Sequence, residues 1–218
     1  MAIEIVKPND IEKRSFAIIT EELAQRGITV PEREAPVTKR VIHTSADFEY
    51  AETMTYSENA IDILQDLIRR GADIVTDTNM AKSGISSRTL EKFGGRVHCF
   101  MADADVAKEA KERGITRATV CMEKAARMSR EENKPVIFAI GNAPTALIRL
   151  REMYDDGSFR PAFIIGVPVG FVNVEAAKEL IIETDIPYII NRGRKGGSNI
   201  AAAICNAVMY DIPSAREF

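Results

Sequence analysis

The chain has 218 residues, with 29 Lys+Arg against 32 Asp+Glu and a formal net charge of -3. That length is ample for a hydrophobic core, and 45% hydrophobic with 28% charged residues argues against disorder. The near-neutral balance, with a pI of about 5.6, lacks the bulk basicity of a protein that coats nucleic acid, so no nucleic-acid partner is expected.

In chain order, the opening MAIEIVKPND has no apolar core of a signal peptide, which leads us to expect a cytoplasmic protein. Asn9 or Asp10 is placed to cap a helix running through Ile11, Phe16, Ile19 and Leu23 to Gly27. A loop with two prolines follows at 30–36. Residues 39–55 suit helix or strand, and helix is the assignment we adopt. Residues 57–70 put Ala60, Ile61, Leu64, Leu67 and Ile68 on one stripe, with Gly71 as a stop. From there short apolar runs at 72–76, 97–101, 135–140, 162–165 and 187–190 alternate with amphipathic stretches at 102–113, 116–130, 143–154, 174–183 and 198–208. The runs are largely continuous in apolar residues instead of alternating, as expected of parallel strands buried on both faces. The pattern predicts one doubly wound α/β domain over 1–218, with a mainly parallel five-stranded sheet, helices on both faces, and an N-terminal helical elaboration over 1–70.

In such sheets ligands bind beyond the carboxyl ends of the strands. Polar or glycine-bearing segments follow every run there: Asp77-Thr78-Asn79-Met80 with Gly84, Ala102-Asp103, Gly141-Asn142-Ala143-Pro144-Thr145, Gly166 to Phe171, and Asn191-Arg192-Gly193-Arg194-Lys195-Gly196-Gly197-Ser198. Any one of these would serve a plain strand-to-helix turn; five together mark a site. The last suits an anion, since glycines expose backbone N–H groups and Arg192, Arg194 and Lys195 add charge. It is neither GxxxxGK[ST] nor GxGxxG, so no nucleotide motif is present. Thr116 is an expected N-cap, which leaves Arg117 beside a positive helix end, a position an anionic partner would relieve.

The chain holds 18 Arg against 11 Lys, and Arg is the residue suited to forked contact with carboxylates. Cys99, Cys121 and Cys205 stand in no CxxC, so we expect reduced thiols and no metal site. No apolar run approaches the length of a membrane span. Of the two histidines, His98 lies in an apolar strand and reads as a core or strand-end residue. His43, in Arg40-Val41-Ile42-His43, is the one candidate to hold a proton near neutral pH.

Arg14-Ser15, RVIH at 40–43, DTNM at 77–80 with Gly84, GITR at 114–117, IGNAPTAL at 140–147, GVPVGFV at 166–172 and GRKGGS at 193–198 occur in that order. Together they resemble the precorrin-8X methylmutase family, which also has a cobalt-precorrin-8 form, over nearly the whole chain. The one visible departure is Ala177 before Lys178, where a Ser is expected. The resemblance implies a flavodoxin-like homodimer with a corrinoid bound near the subunit boundary. It implies an isomerase that moves a methyl group from carbon 11 to carbon 12 of the ring, without S-adenosylmethionine or any other cofactor. His43 is then the catalytic residue, sharing or donating a proton. A tetrapyrrole rimmed with carboxylates would meet Arg14, Arg40, Arg117 and Arg192, with Ser15, Asn142, Thr145 and Ser198 as neutral hydrogen-bond partners. Met80, Val169 and Phe171 would pack on the ring, and Gly84 belongs to the same motif set.

Two other readings use the same residues. A corrinoid carrier would need the same Arg rim but no proton donor. An S-adenosylmethionine-dependent methyltransferase would want a glycine-rich loop after an early strand, and Asp77 is followed by none.

Overall fold

The computed structural model describes residues 5–213; residues 1–4, part of the opening stretch weighed above as a leader, and residues 214–218 lie outside it. Eleven α-helices and six strands are present among the described residues. The strands are β1 (Met54–Tyr56), β2 (Asp73–Thr76), β3 (Val97–His98), β4 (Val136–Ile140), β5 (Phe163–Gly166) and β6 (Tyr188–Asn191). The helices are α1 (Ile11–Gln25), α2 (Ala35–Ser45), α3 (Tyr50–Thr53), α4 (Ala60–Arg69), α5 (Asn79–Gly84), α6 (Ser87–Glu91), α7 (Ala104–Arg113), α8 (Arg117–Glu131), α9 (Pro144–Asp155), α10 (Val174–Ile182) and α11 (Ser198–Tyr210).

The sheet order is β1-β6-β5-β4-β2-β3. β2 to β6 are all parallel, and numbered among themselves they run 2-1-3-4-5, the flavodoxin-like order. The five expected runs are the five parallel strands. The sheet nevertheless has six, because Met54, Thr55 and Tyr56 pair antiparallel with Asn191, Ile190 and Ile189. Residues 1–70 are therefore not wholly helical. The 39–55 segment likewise ends its helix at Ser45 and enters β1 at Met54, turning at Ala46 with φ 55°. Three residues, all half-buried, are too few to show a period-two pattern.

Alternation within each strand feeds two cores. Ile74, Ile137, Ala139, Phe163, Ile165 and Ile189 face α4, α11 and, beyond them, α1 and α2. Val75, Val136, Phe138, Ile140, Ile164 and Ile190 face α7 to α10. α11 is buried almost all round, because α2 and α5 cover the side that the sheet does not. Asp10 stands at the N-cap position of α1 but makes no side-chain cap there, and the chain enters through a 3-10 turn at Pro8–Asp10.

Candidate active site

The carboxyl edge of the parallel strands carries a cleft of about 510 Å³ lined by Thr78, Met80, Gly141, Asn142, Val169, Gly196, Gly197, Ser198 and Asn199. These residues come from the ends of β2, β4, β5 and β6, where the topology places ligands. The volume lies within the range of small-molecule sites. Around it the surface is unusually apolar: Met80 is 71% exposed and Phe171 83%, with Val169 and Val172 also exposed. Such a patch beside a polar cleft marks a binding surface. The Arg194 guanidinium lies 5.5 Å from the centre of the Phe171 ring.

Each wall is braced from behind. Asp77 is fully buried, and its carboxylate accepts N–H bonds from Gly141 (2.9 Å), Asn142 (2.8 Å) and Ala143 (2.6 Å). Burial pushes its carboxyl above the usual range, against those three amides, which hold it down. Thr78 next to it caps α5 by accepting from the Ala81 N–H, and its hydroxyl pairs with that of Ser198 at 2.7 Å. The two walls touch: a Cβ on Gly141 would come within 2.7 Å of the Ser198 Cα. On the far wall, fully buried Lys178 of α10 donates to the carbonyls of Gly193 (2.7 Å) and Lys195 (2.9 Å). Asn191 adds bonds to the carbonyls of Arg192 and Lys195, and its own oxygen accepts from the Thr53 hydroxyl at 2.6 Å.

Met80, Asn142 and Ser198 thus come together, as expected. Thr145 does not line this cleft; its hydroxyl meets that of Thr116 at 2.9 Å in an adjoining groove between α8 and α9. Thr116 does cap α8, accepting from the Thr119 N–H, and Arg117 reaches over the edge to the Met101 carbonyl at 3.4 Å. Arg192 turns outward to Glu179 at 3.5 Å. Gly84 is a packing residue of α5, since a Cβ there would meet that of Ala202 at 2.9 Å.

His43 lies in the last turn of α2, exposed, with its ring stacked on Phe16 of α1 at 5.5 Å between centres. Arg40 sits on the same Phe16 ring and pairs with Glu12, so His43 shares an aromatic platform with a cation. Ser15 returns its hydroxyl to the Ile11 carbonyl, and Arg14 is exposed on α1. The far end of this region is a second cavity of about 620 Å³ between α1, α2 and the end of α11, which includes Phe16, Arg40 and Tyr210. The end of α2 is tied to the β6 loop, because Lys195 pairs with Asp47 (2.5 Å) and Glu49 (2.7 Å). His43 itself lines neither cavity.

His98 is a strand-end residue bonded to buried Asp73 at 2.9 Å, on the side of the sheet where the strands begin. Sequence reading passed over the roles of Asp77, Asn191 and Lys178. Lys178 had a signal: it shares the buried stripe Val174, Ala177, Lys178, Ile181 of α10, where a lysine must find internal acceptors.

Fold and cleft define the class: a doubly wound α/β protein of flavodoxin-like order with a cleft at its carboxyl edge. The family model described as precorrin-8X methylmutase matches residues 10–211. A cobalt-precorrin-8 methylmutase of Priestia megaterium is 41% identical over 93% of this chain and 88% of its own length. That of Salmonella typhimurium is 40% identical over 97% of this chain and 99% of its own. The solved structure of a precorrin-8X methyl mutase from Thermus thermophilus superposes with a TM-score of 0.80 at 34% identity, over 92% of this chain and 96% of that one. The chain belongs to the precorrin-8X methylmutase family, isomerases of cobalamin biosynthesis.

Proposed function

We propose that the chain moves a methyl group from carbon 11 to carbon 12 of a corrinoid, converting precorrin-8X to hydrogenobyrinate or cobalt-precorrin-8 to cob(II)yrinate. The match to the family along residues 10–211, which include the whole cleft, carries this reading. The carbon 11 bond breaks as the carbon 12 bond forms, so atoms and oxidation state balance within the ring. The accepting carbon must become electron-poor, and a proton shared with the ring system by His43 makes it so. One general acid of this kind contributes on the order of 10²–10⁴ in rate.

The macrocycle lies against Met80, Val169 and Phe171, with its carboxylate arms toward Asn142, Ser198 and the β6 loop. Arg117, with Thr145 and Thr116 beside it, serves an arm that extends past α8. Arg14, Ser15 and Arg40 accompany His43 from α1 and α2, and Arg192 serves the rim only by leaving Glu179. Because His43 lines neither the carboxyl-edge cleft nor the cavity between α1, α2 and α11, a homodimer supplies the arrangement: His43 of one copy faces the cleft of the other, with the corrinoid near the boundary. Exposed Ile11 and Ile18 on α1 suit burial between copies.

Anaerobic incubation with precorrin-8X or its cobalt form, followed by absorption, tests the assignment. The spectrum should shift to that of the methyl-migrated product. His43→Ala should bind the corrinoid and leave its spectrum unchanged; full turnover by that variant sinks the proton-donor role. A wild-type protein that binds the corrinoid without converting it would instead support the carrier reading.

A further inference from the structure

The Lys178 ammonium group is buried on α10 with no carboxylate within bonding distance among the described residues; its partners are the main-chain oxygens of Gly193 and Lys195. An unpaired buried cation is costly, and a structural helix position would be filled as well by Leu or Met. What the lysine fixes is direction. In a trans peptide the C=O and the N–H point opposite ways. The Lys195 carbonyl is drawn inward by both Lys178 and Asn191, so the Gly196 N–H of the same peptide points outward, where Gly196 lines the cleft.

We propose that Lys178 is a positioning residue for substrate: it holds the β6 loop so that the Gly196 N–H meets a carboxylate arm of the corrinoid. This rests on the reading that the cleft binds that polycarboxylate. The ammonium also sets a fixed positive charge directly behind the peptide, strengthening its N–H as a donor to an anion. Asp77 does the reverse on the facing wall, turning three N–H groups inward.

Burial pushes the Lys178 amine down to about 8, so its charge is lost within the range in which the enzyme can be assayed. The charged groups around it are Glu175 and Glu179 on its own helix, and Arg192, Arg194 and Lys195 on the loop. Arg151 and Glu183 stand where α9 meets α10, and Asp47 and Glu49 hold Lys195. All of these persist in Lys178→Met, so comparison with wild type isolates the one group.

The test is the dissociation constant of hydrogenobyrinate from pH 7 to 9.5, with kcat at saturating substrate, for wild type and Lys178→Met. The variant should bind about tenfold more weakly at pH 7 with kcat nearly kept, the loss expected for one charge-strengthened hydrogen bond. Wild-type affinity should fall through about pH 8 toward the variant's value, while the variant's own profile lacks that step. Equal affinity and matching profiles overturn the proposal. If Lys178→Met does not fold, the wild-type profile decides, and affinity flat across pH 8 overturns it. Failure of the wild type to bind or convert any corrinoid would sink the assigned reaction instead, so the two failures are distinguishable.

Discussion

The two walls of the cleft are built on opposite plans. After β4, a buried carboxylate gathers three backbone N–H groups, and the turn from Gly141 to Ala143 offers the cleft its side chains, Asn142 foremost. After β6, a buried ammonium gathers two carbonyls, and the gripped peptide is proposed to turn its Gly196 N–H to the cleft, while the Gly197 N–H is spent on the Val167 carbonyl. One wall is thus suited to hydrogen-bond through a neutral amide and the other to receive an anion. A substrate with an apolar ring and carboxylate arms needs both, and a buried charge of the matching sign fixes each.

Breaking the Asp77 wall should have the largest effect. Asp77→Asn keeps the volume but sets an NH2 group against amides that themselves need an acceptor. Losing those bonds costs on the order of 1–3 kcal/mol for each buried group left unsatisfied. Thermal melting should fall by several degrees and kcat/KM by at least about tenfold, since Asn142 moves with the turn. Unchanged melting and kinetics would show that the turn holds itself. The Lys178→Met change should be milder, because Asn191 still holds the Lys195 carbonyl, and should appear in affinity and not in kcat.

A control lies at the opposite edge of the sheet, where the strands begin. Burial pushes the Asp73 carboxyl up, but Lys134, His98 and the Arg96 N–H bring it below its ordinary value overall. A depressed carboxylate stabilises the fold above its unfolded pKa of about 4, and that contribution is lost as pH falls through the folded value. The melting temperature should therefore drop on acidification below about pH 4, and Asp73→Asn should lower it at neutral pH and flatten that dependence. Affinity for corrinoid at 25 °C should not change. If it did, the cluster would belong to the site.

The smallest effect is expected at Phe171, which is exposed and touches little besides Arg194. Phe171→Ala should leave melting unchanged and weaken corrinoid binding by a few-fold in a titration, as loss of one ring face from a shallow contact would.

The five parallel strands were legible because their runs are largely continuous in apolar residues, four of the strands being buried throughout and β3 half-buried. The last of them, Tyr188–Asn191, even ends at the loop that lines the cleft. Met80, Asn142 and Ser198 stand in the segments that follow such runs, and the fold brings the three to one cleft. β1 was not, since its pairing with β6 joins residues more than 130 positions apart. Asp77 stood in view as the residue after a strand, yet its three partners lie 64 to 66 positions away and no local pattern announces them. His43 was singled out by the family resemblance, with scarcity of histidines beside it; its place on α2, clear of both cavities, depends on how α1 and α2 pack over α11.

That placement gives the sharpest test. The account holds that His43 of one copy serves the cleft of the other. Asn142→Trp fills the cleft from an exposed position, and His43→Ala removes the proton donor, so each homodimer should be inactive. Unfolded together and refolded as a mixture, half of the dimers carry one chain of each kind, and each of those has one complete site. Activity should return to about a quarter of the wild-type value per chain. A mixture as inactive as its parents would contradict the shared site.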